Sequence, residues 1–372
     1  MRLLFWSAAG FIAYTYIGYV GWLWIRARLR PWPVLRSPLE PYISIVMVVR
    51  NEESVLKRKL QNLLAMDYPP ERCEIVVVSD GSTDRTEEIL REQGGTRVQA
   101  VMKQMSEGKA SGLNDAIGVA RGEIIVFMDA RQQVESGALR LLMQNFADPE
   151  TGCVSGELML GDPNAGETTR SMGLYWRIEK EIRELEAASG SVVGATGALY
   201  AVRREMVLSL PRGTILDDVY IPMEVVRQGK RVVFEPRARA WDAPSLGANR
   251  EFARKVRTLT GNYQLVQLAP WLLSARNPIR FEFISHKLFR LVVPFALAGI
   301  LLASFFLPGP LYRGALILQV LFYGLSLLAW LHLSRGPIAR VGDAALTFVV
   351  LNTAAVVAFL NFVMGRKAVW IR

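Results

Sequence analysis

Hydrophobic and polar positions divide this chain into three regimes. Four runs contain no Asp, Glu, Lys or Arg: Leu3–Ile25, Leu291–Tyr312, Gly314–Ser334 and Ala344–Met364. A membrane helix needs about 20 mostly apolar residues, and each run supplies them. After the first run, short apolar stretches end in polar turns and alternate with helical periodicity. This pattern predicts strands at Ile43–Val49, Ile75–Val78, Val98–Met102, Ile124–Met128, Cys153–Leu160, Leu199–Val202 and Arg231–Phe234. Helices are predicted where Leu56, Leu60, Leu63 and Leu64 share a face, around Leu113, Ile117 and Ala120, over Glu167–Ala188, and from Asp217 through Val226. Such alternation indicates a mostly parallel sheet with helices on both faces. The third regime is Asn249–Leu268, where Phe252, Val256, Leu259, Tyr263 and Val266 form a narrow apolar face opposite Arg250, Arg254 and Arg257. It reads as a basic amphipathic helix in a membrane interface or as an ordinary surface helix.

Several apolar runs end in an acid, and ligands collect at the carboxyl ends of strands in open α/β sheets. Ile124–Met128 stops at Asp129-Ala130-Arg131, Ile75–Val78 leads to Asp80-Gly81-Ser82-Thr83-Asp84, and Ile215-Leu216 precedes Asp217-Asp218. Acids gathered in this way suit a divalent cation or a phosphorylated ligand. Taken one at a time, each reads rather as a turn or helix-cap acid, and it is their joint placement that points to a site. The small-residue stretch Gly194-Ala195-Thr196-Gly197-Ala198 admits close approach of a ligand to the backbone, or is a flexible turn.

Composition narrows the partners. The 372 residues are 51% hydrophobic with a formal charge of +10. The basic residues cluster beside the apolar runs, which points to a membrane surface, and no nucleic-acid motif is present. Trp22, Trp24, Arg26, Arg28 and Arg30 close the first run as an aromatic and basic edge. It reads as a retained anchor with its C-terminal end on the cytoplasmic side. Pro31, Pro33, Pro38 and Pro41 then make a stiff juncture. Cys73 and Cys153 fit no metal-ligand spacing and suit a reducing compartment. His286 and His332 lie at or inside apolar segments and receive no catalytic role. A dehydrogenase or P-loop NTPase is set aside: no Gly-x-Gly-x-x-Gly follows the first strand, and Gly108-Lys109 lacks the flanking P-loop residues. Topology carries one conflict. Three simple spans after a cytoplasmic domain leave the C-terminus outside, whereas the basic stretch Gly365–Arg372 argues for inside.

In order, Arg50-Asn51-Glu52-Glu53, Ser79-Asp80-Gly81-Ser82-Thr83-Asp84, Gly108-Lys109, Phe127-Met128-Asp129, Thr196-Gly197-Ala198 and Leu216-Asp217-Asp218 resemble membrane-bound glycosyltransferase family 2. That family includes the synthases of cellulose, hyaluronan and chitin-like oligosaccharides. The resemblance covers roughly Tyr42 to Gln264, and the order and spacing of the motifs make it specific. It implies an α/β GT-A domain with flanking transmembrane helices, a nucleotide-sugar donor, and inversion at the anomeric carbon.

By the resemblance, Glu52 and Asp80 contact the nucleoside, Lys109 faces the diphosphate, and Asp129 sits by the donor phosphates and an Mg2+ or Mn2+ ion. Asp218 is the implied general base, with Thr196, Gly197, Asp217, Arg254 and Arg257 on the acceptor or phosphate side. Two departures stand out. Arg131 occupies the place of the second acid of Asp-x-Asp, where it can neutralise phosphate charge. Arg254-Lys255-Val256-Arg257-Thr258 keeps the Arg of Gln-x-x-Arg-Trp but lacks the Gln and Trp, which weighs against processive polymer extrusion.

The resulting expectation is an anchor over residues 1–30, a catalytic domain over 42–245, interface helices over 246–280 and C-terminal spans over 283–364. The protein is expected in the inner or plasma membrane, moving one sugar from a UDP-linked donor to a lipid-linked or glycan acceptor at the cytoplasmic face. The rival expectations are a processive synthase that also translocates its polymer and a non-catalytic membrane sensor of nucleotide sugars.

Overall fold

The computed structural model describes residues 1–93, 95, 97–161, 174–243, 248–333 and 337–365. The chain divides into two units. One comprises Ile25–Pro244 and Leu265–Arg280; the other comprises Met1–Trp24, Ser245–Gln264 and Phe281–Arg372.

In chain order the elements begin with α1 (Arg2–Leu29), β1 (Ile43–Val49), α2 (Leu56–Leu64), β2 (Cys73–Asp80), α3 (Thr86–Gln93) and β3 (Val98–Lys103). Next come α4 (Lys109–Val119), β4 (Ile124–Met128), β5 (Gln133–Val134), α5 (Ala138–Met143) and β6 (Thr151–Leu160). They continue with α6 (Leu174–Ser189), β7 (Leu199–Arg203), α7 (Asp217–Arg227) and β8 (Arg231–Asp242). The last are α8 (Ala248–Leu268), α9 (Arg280–Phe306), α10 (Pro310–Trp330) and α11 (Pro337–Val363). Residues 167–173 of the predicted Glu167 helix and the basic residues 366–372 lie outside the described residues.

The strands form one sheet in the order β3-β2-β1-β4-β7-β6-β8-β5. β1, β2 and β4 are buried along their whole length, which is why they read as predominantly apolar runs. The expectation of a mostly parallel sheet holds for β3-β2-β1-β4 and gives way beyond it. β7 runs antiparallel to both β4 and β6, β8 returns parallel to β6, and β5 is antiparallel to β8. The reversal at β7 positions the site. The chain enters β7 beside the end of β4, with Leu199 opposite Met128, so Thr196 and Gly197 pass the rim where Asp129 emerges.

Two strand features exceed the prediction. β8 continues past Pro236 to Asp242, because a register shift between Ser155 and Glu157 absorbs the irregularity. β5, two residues long, pairs Gln133 with Trp241 and Val134 with Ala240. The proline-rich juncture is pinned along its length. The Trp32 N–H donates to Ala188 O at 2.8 Å, Arg231 stacks 4.1 Å over the Trp32 ring, Ser37 N–H donates to Gln144 O at 3.2 Å, and Tyr68 Oη donates to Pro41 O at 2.6 Å.

In the other unit, four helices among the described residues are long and apolar enough to cross a membrane. The predicted run Leu291–Tyr312 is interrupted. Leu307 leaves the helix for an extended conformation, Gly309 takes φ +125°, and α10 starts on Pro310. Pro308 ends one helix and Pro310 opens the next, as the ring allows at a first turn but not inside. α9 in turn begins at Arg280, ahead of the apolar run, and Ser285 on it hydrogen-bonds Tyr14 of α1 at 2.8 Å.

Candidate active site

The ends of β1 and β2 form one platform. Asn51 adopts φ +56°, a conformation asparagine tolerates better than most residues. Its Oδ1 accepts from Thr83 N–H at 2.7 Å, while its own N–H donates to Ser82 Oγ at 3.2 Å. Glu52 N–H donates to Thr86 Oγ1 at 2.8 Å, and Arg85 N–H donates to Glu53 Oε2 at 3.0 Å. Asp80 is fully buried and accepts from Ser106 Oγ at 2.7 Å, Glu107 N–H at 2.8 Å and Gly108 N–H at 2.9 Å. Gly81 is required here: it has φ +63°, and a Cβ would lie 2.6 Å from Ser106 N. This strapped loop delivers Lys109 as the first residue of α4.

Lys109 is the centre of the acids. Its Nζ lies 2.9 Å from Asp129 Oδ1 and 3.2 Å from Asp217 Oδ1. Burial works against its charge, but Asp129, Asp217 and Asp218 prevail and hold the ammonium well above the usual lysine range. Asp217 and Asp218 open α7, where the positive end of the helix dipole favours acids. Asp218 is fixed at both ends: its Oδ2 accepts from Gly197 N–H at 3.2 Å, and its carbonyl accepts from Ala195 N–H at 2.7 Å. A Cβ on Gly197 would meet Asp218 Oδ2 at 3.3 Å and Asp129 Oδ2 at 3.5 Å. One missing side chain therefore separates the two carboxylates. Thr196 is buried, and its backbone N–H donates to Ser155 Oγ at 3.1 Å.

These geometries meet a family signature. Residues 44–209 match the profile of glycosyl transferase family 2. Over those residues the chain resembles glycosyl transferase family 2. It is similar to β-monoglucosyldiacylglycerol synthase of Synechocystis, 28% identical over 156 residues covering 41% of this chain and 33% of that one. It is also similar to poly-β-1,6-N-acetyl-D-glucosamine synthase of Staphylococcus aureus, 26% identical over 209 residues covering 54% and 49%. The chain thus spans less than half the length of these relatives. Among solved structures, the mannosyltransferase PcManGT from Pyrobaculum calidifontis, in complex with GDP-Man and Mn2+, superposes with TM-score 0.74 at 20% identity, covering 98% of this chain and 100% of that one. The likeness is one of fold: a mixed α/β GT-A domain accompanied by apolar helices.

Glu52 stands near the same rim. Burial raises its carboxyl above the ordinary range; Arg131 opposes the rise, and Asp129 and Asp84 add to it. The Arg131 guanidinium itself pairs with Asp242 Oδ2 at 2.7 Å, at the end of β8, and Gln132 Nε2 reaches the same oxygen at 3.2 Å. Arg254 and Arg257 lie on α8 in the other unit, where Arg254 pairs with Glu251 at 2.5 Å.

Two contributors escape motif reading. Lys59, on α2, is 1% exposed and donates from Nζ to Gln132 O at 2.8 Å. Asn62, on the same helix, exchanges hydrogen bonds of 2.9 Å with both the N–H and the carbonyl of Val134. The signal for Lys59 was present: it takes the i+3 place in the buried stripe Leu56, Leu60, Leu63.

Among the described residues, no group of three His, Cys, Asp or Glu side chains is placed to hold a metal ion. Asp129 alone offers a carboxylate with 40% of its side chain exposed. That fits a hard cation taking one protein oxygen and completing its shell with phosphate and water, the usual habit of Mg2+.

Proposed function

We propose that this protein is an inverting glycosyltransferase. It moves a single sugar from a nucleotide-sugar donor, UDP-linked, to a lipid-linked or glycan acceptor at the cytoplasmic face of the membrane its four apolar helices cross. The observation that carries this reading is the bracket of Lys109 between Asp129 and Asp217, with Asp218 held across Gly197 from Asp129. Cation, phosphate-facing acid and base stand within one side chain of each other at the rim of the sheet.

The donor's nucleoside lies on the platform that Glu52 lines and the buried Asp80 supports from beneath, and its diphosphate approaches Lys109. The ammonium is charged at any physiological pH, so it can leave Asp217 for a phosphate oxygen without a proton changing hands. Asp129 is the residue that would hold Mg2+ or Mn2+, which supplies positive charge to the departing diphosphate. The acceptor hydroxyl enters beside Gly197. Asp218 takes its proton as the oxygen attacks the anomeric carbon and the bond to the diphosphate breaks. The Gly197 N–H bond orients that carboxylate, and no protein acid is needed because the diphosphate leaves as an anion. Arg131, paired with Asp242, steers the turn after Asp129 and adds positive potential near Glu52.

The test is nucleoside diphosphate release by the detergent-purified chain, with a panel of nucleotide sugars, membrane lipid extract and Mg2+ or Mn2+. Release from one donor, lost in Asp218→Asn, supports the enzyme and names the sugar. Tight donor binding without release under any condition would move the reading to a sensor, and long free polymer would move it to a processive synthase.

A further inference from the structure

Along α2 the buried positions are Leu56, Lys59, Leu60 and Leu63, so a lysine takes a place that packing alone would give to leucine or methionine. Its Nζ is inside the domain and reaches Gln132 O at 2.8 Å, three residues beyond Asp129. A buried ammonium is costly, and a protein that needed only to fill this space would use an apolar side chain. Support for the backbone is also already present, because Asn62 grips Val134 through both its N–H and its carbonyl. What Lys59 adds to that grip is charge.

We infer that Lys59 is a positioning residue of the transfer site, whose buried amine secures the Asp129–Gln132 turn and, when protonated, sets a positive charge behind the acids. The inference rests on the glycosyltransferase reading and deepens it. Asp129, Asp217 and Asp218 all act on the single ammonium of Lys109. When Lys109 turns to the donor's diphosphate, that cluster loses its counter-charge just as more negative charge arrives. Lys59 cannot follow the ligand, since α2 holds it and the helix is tied at its start by Glu52 O accepting from Val55 and Leu56 N–H. Its electrostatic partner is Asp129, whose charge opposes the downward pull that burial exerts on the ammonium. The counter-charge matters most as the leaving diphosphate gains charge, so its loss falls on turnover more than on donor binding.

The experiment uses the full chain in detergent, comparing wild type, Lys59→Met and Lys59→Gln. It measures the thermal midpoint, kcat and KM for nucleoside diphosphate release. Lys59→Met is expected to keep or raise the midpoint and to lose roughly tenfold or more in kcat, with donor KM moving less than about threefold. Lys59→Gln keeps an N–H for the Gln132 carbonyl without the charge, and is expected to lose kcat to about the same degree. Wild-type turnover with Lys59→Met or Lys59→Gln within about twofold of it in kcat overturns the inference alone. A fall in midpoint that accounts for the activity loss assigns Lys59 to the core and overturns it too. Absence of wild-type turnover with every donor sinks the transferase reading and this inference with it.

Discussion

Two corners of the site carry acids in equivalent positions, at the ends of β2 and β4, yet they are built in opposite ways. Asp80 is consumed by its own scaffold: three donors from residues 106–108 converge on a carboxylate with no exposure to solvent. Asp129 instead meets an ammonium at the end of a long side chain and keeps 40% of its side chain exposed. The first corner is a wall, fixed before any ligand arrives. The second is a socket, in which a flexible cation holds the place a diphosphate would take. Under the proposed function, a rigid nucleoside platform and a yielding phosphate site suit a transferase that must grip one end of its donor and release the other.

The largest effect tests the socket directly. Asp218→Asn keeps the size of the side chain and removes its basicity, so transfer should fall about 10²–10⁴-fold. Donor binding should persist, measured by isothermal titration with the intact nucleotide sugar. Loss of binding in parallel with turnover would assign Asp218 to the donor side and erase the distinction between base and phosphate acids.

The next pair of variants breaks or sharpens the contrast itself. Asp129→Ala is expected to lower nucleoside diphosphate release roughly 10²-fold while leaving the thermal midpoint almost unchanged, since Lys109 keeps its pair with Asp217. Asp80→Ala should destabilise the domain by about 2–4 kcal/mol, because it strands buried donors that no water replaces. Its effect on turnover should follow the amount of unfolded protein and recover on cooling. Equal thermal midpoints for the two variants would show that the wall and the socket are the same kind of structure.

Between them lies Gly197. Its Cβ would sit 3.3 Å from Asp218 Oδ2 and 3.5 Å from Asp129 Oδ2, tight but against side-chain atoms that can shift. Gly197→Ala should therefore fold normally and lose about tenfold in transfer by displacing Asp218 from its N–H partner. A crystal structure or thermal melt that matched wild type, with transfer also unchanged, would show that the gap between the carboxylates is not used.

How much of this could be read from the chain follows from how local each feature is. The strands β1, β2 and β4 are legible because burial on both faces leaves mostly apolar residues, and an acid at or just after the end of each run marks the rim. Asp217 and Asp218 are legible because they start a helix. The pairing of Arg131 with Asp242 is not, since 111 positions separate them and the contact depends on β8 running on past Pro236 to meet a two-residue strand. The reversal of β7 is equally hidden, because strand direction is set by where the loop before it crosses the sheet and leaves no trace in periodicity. Lys59 was masked by habit. A lysine beside leucines reads as the polar edge of a helix until its i+3 spacing to Leu56 is taken literally. Even Asp80 was legible only as an acid at a rim; that its carboxylate faces inward needed the loop that folds over Gly81.

The smallest effect concerns pH and reaches the cation beneath the socket. Burial lowers the Lys59 ammonium from its ordinary 10.5 to about 7, with Asp129 opposing. In the unfolded chain the amine binds its proton from pH 10.5 downward, whereas in the folded protein it does so only near pH 7. The unfolded state therefore holds more protons across that window, and stability must rise with pH through it. The penalty is complete below about pH 7 and gone above the unfolded value. Lys59→Met lacks the titration, and its lost hydrogen bond costs the same at every pH, because a neutral amine still donates to Gln132 O. The midpoint of Lys59→Met relative to wild type should then be higher at pH 7 than at pH 10 by several degrees, on the order of a few kcal/mol. A difference that stays constant between those two pH values would mean that Lys59 is hydrated in solution, and the socket would then rest on Lys109 alone.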